Sequence, residues 1–186
     1  KSPIKYFLLK FLRLLNIAQI ENVEWNKKNS IEFADATKKL PLPNDSVNCI
    51  YTSHMFEHLS IQGGKKFLKE SLRILSKGGV LRISVPDLDK YVEAFLLHKD
   101  ADKFMKRLHV SAPPIDILQN KFKLLFLSGY RHHQWMYNGK SLEKLIIEAG
   151  FRNVIFQKPG NTIIENSGKL NLFERNEESI YIEAIK

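Results

Sequence analysis

The chain has 186 residues, 44% of them apolar and 26% charged, with 29 Lys and Arg against 20 Asp and Glu for a formal charge of +9. That length suits one domain, 1–186, with a core of its own. The single cysteine, Cys49, excludes a disulfide framework and a cysteine-built zinc site, so a reducing, cytoplasmic setting is the default. No apolar run reaches the ~20 residues of a bilayer span. The basic residues are scattered along the chain, so no nucleic-acid partner is expected from the charge.

The first segment, "KSPIKYFLLKFLRLLNIAQI", spaces Ile4, Phe7, Leu8, Phe11, Leu12 and Leu15 at helical intervals. This predicts an amphipathic helix over 1–20 that packs on the domain or on a partner. Lys10 and Arg13 interrupt the apolar centre that a signal peptide needs. "SIEFAD" reads as a short strand ending at Asp35, and "KKLPLPNDS" as a loop. "VNCIYTS" reads as a buried strand, with the Cys49 thiol inside it. In "IQGGKKFLKESLRILSKGG" the residues Phe67, Leu68, Leu72 and Leu75 share a helical face, and Gly78 and Gly79 are expected to stop the helix. "VLRISVPD" is a strand ended by Pro86, and "LDKYVEAFLLHKDADKFMKRL" a helix broken near Asp100.

Pro113 and Pro114 punctuate the chain, and "IDILQNKFKLLFLS" predicts another helix. "GYRHHQWMYN" predicts a polar, aromatic loop, so that 100–138 reads as a helical and looped insertion over a substrate site. "GKSLEKLIIEAG" is a short amphipathic helix stopped by Gly150, "FRNVIFQK" a strand, "PGNTIIENSGKLNLFERNEE" aperiodic, and "SIYIEAIK" the last strand. Alternating strands and helices predict an α/β, Rossmann-like, mostly parallel sheet with flanking helices. The last two strands predict an antiparallel hairpin at one edge.

Ligands of such a sheet bind outside the carboxyl ends of its strands. The predicted ends carry Asp35 and Ala36, then Thr52, Ser53 and His54, then Pro86 and Asp87, and these are expected to converge on one rim. After the second of them, "YTSHMFEHLS" gives His54, Glu57 and His58 the H-x-x-E-H spacing of one class of zinc peptidases. That chemistry needs both imidazoles on one face of a regular helix and a third ligand, which His98, His109, His132 or His133 would have to supply. His54 falls at a strand-to-loop junction and Gly63 and Gly64 follow closely, so no metal is expected. The alternatives are that these groups line an acceptor pocket, or that Glu57 and His58 orient the next segment. His132 and His133, with Arg131, Trp135 and Tyr137, suit recognition of a polar or anionic ring, or a loop anchored locally on Trp135. Asp87 suits a helix cap.

Taken together, "FADATKKLPLPNDSVNCIYTSHMFEHLS…FLKESLRILSKGGVLRISVPDLDKYV" resembles the middle of a class I S-adenosylmethionine-dependent methyltransferase of the small-molecule, type-11-like branch associated with sugar and surface-polysaccharide modification. "RHHQWMYNGKSLEKLIIEAGF" resembles that branch's later region, so the likeness covers about 30–95 and 130–186. The resemblance implies that Asp35 and Ala36 hold the adenine, that Ser53 and His54 lie beside the methionine portion of the cofactor, and that Met55 helps to wall it. His54, His58 and His132 are the candidate catalytic residues for transfer to a small polar acceptor. One departure stands out: the glycine-rich turn expected before Asp35 is missing, since the first glycine is Gly63, and the N-terminal strands of the sheet are missing or replaced. With no methionine before Lys1, the natural protein is expected to be longer; otherwise an upstream segment's role in completing the sheet falls to a second copy of the chain. The competing reading is a non-catalytic module of methyltransferase fold that acts as a partner or scaffold.

Overall fold

The computed structural model describes residues 17–32, 34–110 and 132–186. The first 16 residues of the predicted amphipathic helix, and the helix predicted after Pro114, lie outside the described residues. The chain forms two compact units, Lys1–Asp35 and Ala36–Lys186.

In the first unit, α1 (Ile17–Lys28) ends on Lys27 and Lys28, cations at the negative end of a helix dipole. The Asn29 side-chain amide donates to the Trp25 carbonyl at 2.8 Å and closes the helix. The strand predicted over "SIEFAD" is not formed: Ile31, Glu32, Ala34 and Asp35 take no strand pairing. A β-rich string becomes a strand only against a neighbour's N–H and C=O groups.

The second unit runs β1 (Val47–Ser53), a 3-10 turn (Phe56–His58), α2 (Ile61–Ile74), β2 (Leu75–Pro86), α3 (Leu88–His98), α4 (Ala101–Leu108), α5 (Gly139–Glu148), β3 (Arg152–Gln157) and β4 (Ser179–Ile185). The sheet order is β1-β2-β4-β3. β1 and β2 are parallel, and β4 runs antiparallel to both β2 and β3. Strands β1, β2 and β3 therefore point one way, with β4 against them, as an α/β sheet with an antiparallel edge pair requires.

Local chemistry sets the ends. Ser60 caps α2 through Gly63 N–H, and Asp87 caps α3 through Asp89 N–H, the role its place in the sequence suggested. The predicted break near Asp100 is real: Lys99 turns left-handed at φ 53° and Asp100 caps α4. Asn138 and Ser141 form a reciprocal capping box for α5, and Gly150 follows it at φ 108°. Gly78 and Gly79 do not stop α2. The helix ends at Ile74, because fully buried Leu75 already pairs with Val47, and the glycines lie inside β2. A Cβ on Gly79 would stand 2.9 Å from the Ser76 carbonyl and 3.2 Å from that of Asn48, so the bulge needs a residue without one.

The period of two sorts the faces of β2 and β4. Leu81, Ile83 and Val85 stand opposite Ala184, Ile182 and Ile180, in one apolar cluster with Phe67 and Leu68 of α2 and Leu142 and Ile146 of α5. On the other face Arg82 stands opposite Glu183, both fully buried, with Nη1 to Oε1 at 2.8 Å. The same Arg82 nitrogen donates to the Asn161 carbonyl at 2.9 Å. Glu183 also accepts from Gln157 Nε2 at 2.8 Å, Thr162 Oγ1 at 2.5 Å and Ile163 N–H at 2.8 Å. Further along, the Glu174 carboxylate takes a hydrogen bond from the Tyr51 hydroxyl, and its carbonyl takes one from Tyr181 at 2.6 Å. Burial, with Glu174 beside it, pushes the Tyr51 phenol up to about 12. The aperiodic stretch between β3 and β4 is thus held to the sheet by polar contacts.

Breaking this pair leaves a buried charge without its counter-charge, which costs about 3–5 kcal/mol. Glu183→Ala is therefore expected to lose that much in urea denaturation. The exposed Lys144–Glu148 pair of α5 gives the contrast, with Glu148→Ala changing stability by less than about 0.5 kcal/mol.

Candidate functional site

The carboxyl ends of β1, β2 and β3 meet the start of β4 along one rim: Ser53 stands opposite Ser84, Pro86 opposite Ser179, and Gln157 opposite Tyr181. Ser53, His54 and Asp87 share this rim. Asp35 closes the first unit, and Ala36 opens the second, where it packs partly buried against the core. A cleft of about 370 Å³ runs along the rim between Asp87, Lys90, Gln157, Lys158, Asn176 and Ser179. Burial pushes the Asp87 carboxyl above its usual range.

Past Ser53 the ladder continues for one hydrogen bond, His54 N–H to the Ser84 carbonyl at 2.9 Å. His54 then turns left-handed at φ 48° and sends the chain into the 3-10 turn. Phe56 is fully buried between Phe67 and Tyr137, with ring centroids 5.8 and 5.2 Å away. Gly64, in the first turn of α2, makes room for it: a Cβ there would stand 3.0 Å from Phe56 Cζ and 3.3 Å from the Tyr137 hydroxyl. Met55 packs partly buried against the same core. Seating Phe56 carries the next residue inward, and Glu57 is only 1% exposed.

Three imidazoles face that carboxylate. From Glu57 Oε1, His54 Nδ1 lies at 3.4 Å, and His58 Nε2 and His133 Nε2 each lie at 3.9 Å. Among the described residues, neither carboxylate oxygen of Glu57 has a hydrogen-bond partner. The network assigns the ring protons. The Ser179 hydroxyl donates to the Arg175 carbonyl at 2.9 Å, so it accepts from His54 Nε2 at 3.0 Å, leaving Nδ1 bare toward Glu57. His58 Nδ1 faces the His132 carbonyl at 3.1 Å and must donate, so in the neutral ring Nε2 carries the lone pair. His133 Nδ1 sits 3.2 Å from the Met136 thioether, a weak acceptor, with Nε2 again on the Glu57 side. Burial holds the His133 imidazole below its usual range, against the pull of Glu57. The Tyr137 hydroxyl is buried without a partner, and burial and Glu57 together hold it well above its usual range.

The main chain ties the histidine loop across this turn. Gln134 and Trp135 N–H groups donate to the Glu57 carbonyl at 2.9 and 3.2 Å, and Gln134 Nε2 donates to that of His58 at 2.7 Å. Of the sequence candidates, His54, Glu57 and His58 come together. The expected base His132 meets His58 through its carbonyl, and its neighbour His133 is the residue whose ring joins Glu57. His109, offered by the sequence only as one of four possible third ligands, accepts His133 N–H through its carbonyl at 2.9 Å, and its ring lies 5.4 Å from that of His133.

A Rossmann-like sheet with its polar groups gathered on the carboxyl rim defines a protein that binds its ligands there. A family model described as a methyltransferase domain matches residues 10–155. The chain belongs to that methyltransferase-domain family. Among solved structures it is similar to a candidate O-methyltransferase from Nostoc punctiforme, with 13% identity over 77% of this chain and 33% of that one and a TM-score of 0.41. It is similar to an S-adenosylmethionine-dependent methyltransferase from Thermotoga maritima, with 20% identity over 82% and 62% of the two chains and a TM-score of 0.47. A third, from Archaeoglobus fulgidus, shares 15% identity over 90% and 82%, with a TM-score of 0.47. The chain thus spans a third of the Nostoc protein and under two thirds of the Thermotoga protein. No curated protein matches it.

The residues present fit S-adenosylmethionine, the donor named for the Thermotoga protein, in part. Ser53 and the left-handed His54 form a ledge at the end of β1. The first glycine of this sequence, Gly63, lies in the first turn of α2.

The bare nitrogens around Glu57 make a sharp expectation. A glutamine amide can donate to them where the carboxylate cannot, so Glu57→Gln in chelator-treated protein should hold or gain about 1 kcal/mol in denaturant unfolding. A loss larger than that would show that protonated imidazoles neutralise Glu57.

Proposed function

We propose that this chain transfers the methyl group of S-adenosylmethionine to a small polar metabolite, with sugars and surface-polysaccharide precursors as the leading acceptor class. The observation that carries the reading is the joint placement of Ser53 and His54 on the carboxyl rim, with His54 bonded to Ser179, a residue that also lines the rim cleft. The donor side is assigned to Ala36, Ser53, His54 and Met55, all of the second unit. The acceptor side is assigned to His54, His58 and His132.

Bound there, S-adenosylmethionine supplies a methyl group on a sulfonium. The chain's own part is to hold an acceptor atom in line at near-attack distance. A hydroxyl or ammonium acceptor also needs a proton taken from it, and an imidazole with a bare nitrogen suits that work. His58 is the favoured base, because its other nitrogen is engaged by the His132 carbonyl. A second reading is favoured by one observation, the lack of any glycine before Gly63: a non-catalytic module that keeps the fold and not the cofactor.

Calorimetric titration with S-adenosylmethionine and with its demethylated product separates the two. The enzyme reading expects saturable binding in the micromolar range, whereas no heat at millimolar ligand favours the module. In the enzyme, His58→Gln should lower turnover by about 10²–10⁴-fold while leaving donor affinity within a few fold. A fall in donor affinity that matches the fall in turnover would remove His58 from the acceptor side.

A further inference from the structure

We infer that Glu57, His58 and His133 form a binding site for one divalent transition-metal ion of the zinc type. One oxygen of Glu57 and one nitrogen of each histidine lie within 4.8 Å of one another. The separations from Glu57 Oε1 to His58 Nε2 and to His133 Nε2 are both 3.9 Å. Ligands about 2.1 Å from a common ion stand roughly 3.4–3.6 Å apart, so small side-chain rotations close the set.

Three features distinguish this cluster from an ordinary polar contact. First, Glu57 is 1% exposed and, among the described residues, neither of its carboxylate oxygens is hydrogen-bonded, a costly state for a carboxylate with no cation beside it. Second, the ring nitrogens turned toward it are the bare ones. His58 donates through Nδ1 to the His132 carbonyl, an outer contact of the kind that orients a metal-binding imidazole and leaves Nε2 as the ligand. Third, the ligands come from two segments already fastened together by Gln134 and Trp135, so the site is built before any ion arrives. His54 Nδ1, 3.4 Å from Glu57 Oε1 and also bare, backs the carboxylate from the β1 side.

The donor set names the class of ion. Two imidazoles and one carboxylate suit zinc and its first-row neighbours, whereas magnesium and calcium favour all-oxygen surroundings. The site does not need the zincin helix that the H-x-x-E-H spacing called for: His54 is left-handed and outside any helix, and the third ligand is His133. Three protein ligands leave a coordination position for water or for an acceptor oxygen, and with Nε2 on the ion His58 can act as a base only in the ion-free chain; the acceptor role alone rests on the methyl-transfer reading.

The test uses the full chain without a histidine tag, stripped with chelator and titrated with zinc by calorimetry and with cobalt by visible absorption. One ion per chain, at micromolar affinity or tighter, with low-coordinate cobalt bands, is expected. Glu57→Gln and His133→Asn should each weaken binding at least tenfold, while His98→Asn, at the end of α3, should not. Absence of stoichiometric binding, equal affinity in Glu57→Gln, or displacement of zinc by equimolar magnesium would each overturn the proposal. Titrating the stripped chain with S-adenosylmethionine keeps the two readings apart, since either ligand can bind without the other.

Discussion

The pairing of β2 with β4 is the constraint on which the rest of the second unit hangs. Alternation along these strands sends Leu81, Ile83 and Val85 to one face and Arg82 and Ser84 to the other. Only one register sets Ala184, Ile182 and Ile180 against the first group and Glu183 against Arg82, and a slip of one residue would drive Glu183 into the apolar cluster. A buried ion pair is weak evidence for net stability, yet it is strong as a register lock, because every wrong pairing strands a charge. The same register seats Ser179 beside Pro86 at the rim. There its hydroxyl, donating to Arg175, fixes the proton of His54 on Nε2 and turns Nδ1 toward Glu57. A pairing in the sheet thus sets the tautomer of a neutral ring at the site.

Glu57 is placed by apolar forces and left with polar consequences. Phe56 fills the space between Phe67 and Tyr137 that Gly64 leaves open, and its backbone neighbour has no route back to water. Two imidazoles with assigned tautomers then present lone pairs to a carboxylate, which is an unfavourable grouping for the free protein. Sites that concentrate like acceptors in this way store a demand for a cation or a proton. Here the demand is met by a structure with little freedom to relax, since both Glu57 and the histidine loop are pinned through main-chain hydrogen bonds.

What the sequence revealed follows from what kind of interaction decides each element. Strands β1, β2, β3 and β4, the break at Lys99 and Asp100, and the stop at Gly150 are governed by short-range pattern and capping, and these were legible. The stretch after Asn29 was not, because its β-rich letters needed a neighbour to pair with. Gly78 and Gly79 misled because glycine serves both helix ends and bulges, and only the burial of Leu75 decides between them. The motif at His54, Glu57 and His58 was legible as a constellation. Its completion by His133 in place of His132 was not, since two adjacent histidines differ only in which one the fold turns inward.

The two halves of the proposed reaction are unequally represented in these residues. The acceptor side is built to hold geometry: rings with assigned protons, a buried carboxylate, and a loop tied down at Gln134 and Trp135. Among the described residues, the proposed donor side has the ledge at Ser53 and His54. Methyl transfer draws much of its acceleration from holding acceptor and sulfonium in line, so rigidity on the acceptor side retains value however weakly the donor is held. Donor affinity, by contrast, depends on how much of the cofactor the chain wraps, and a ledge alone wraps little of it. On the proposed reading, the Glu57 cluster supplies the fixed geometry against which an acceptor would be oriented.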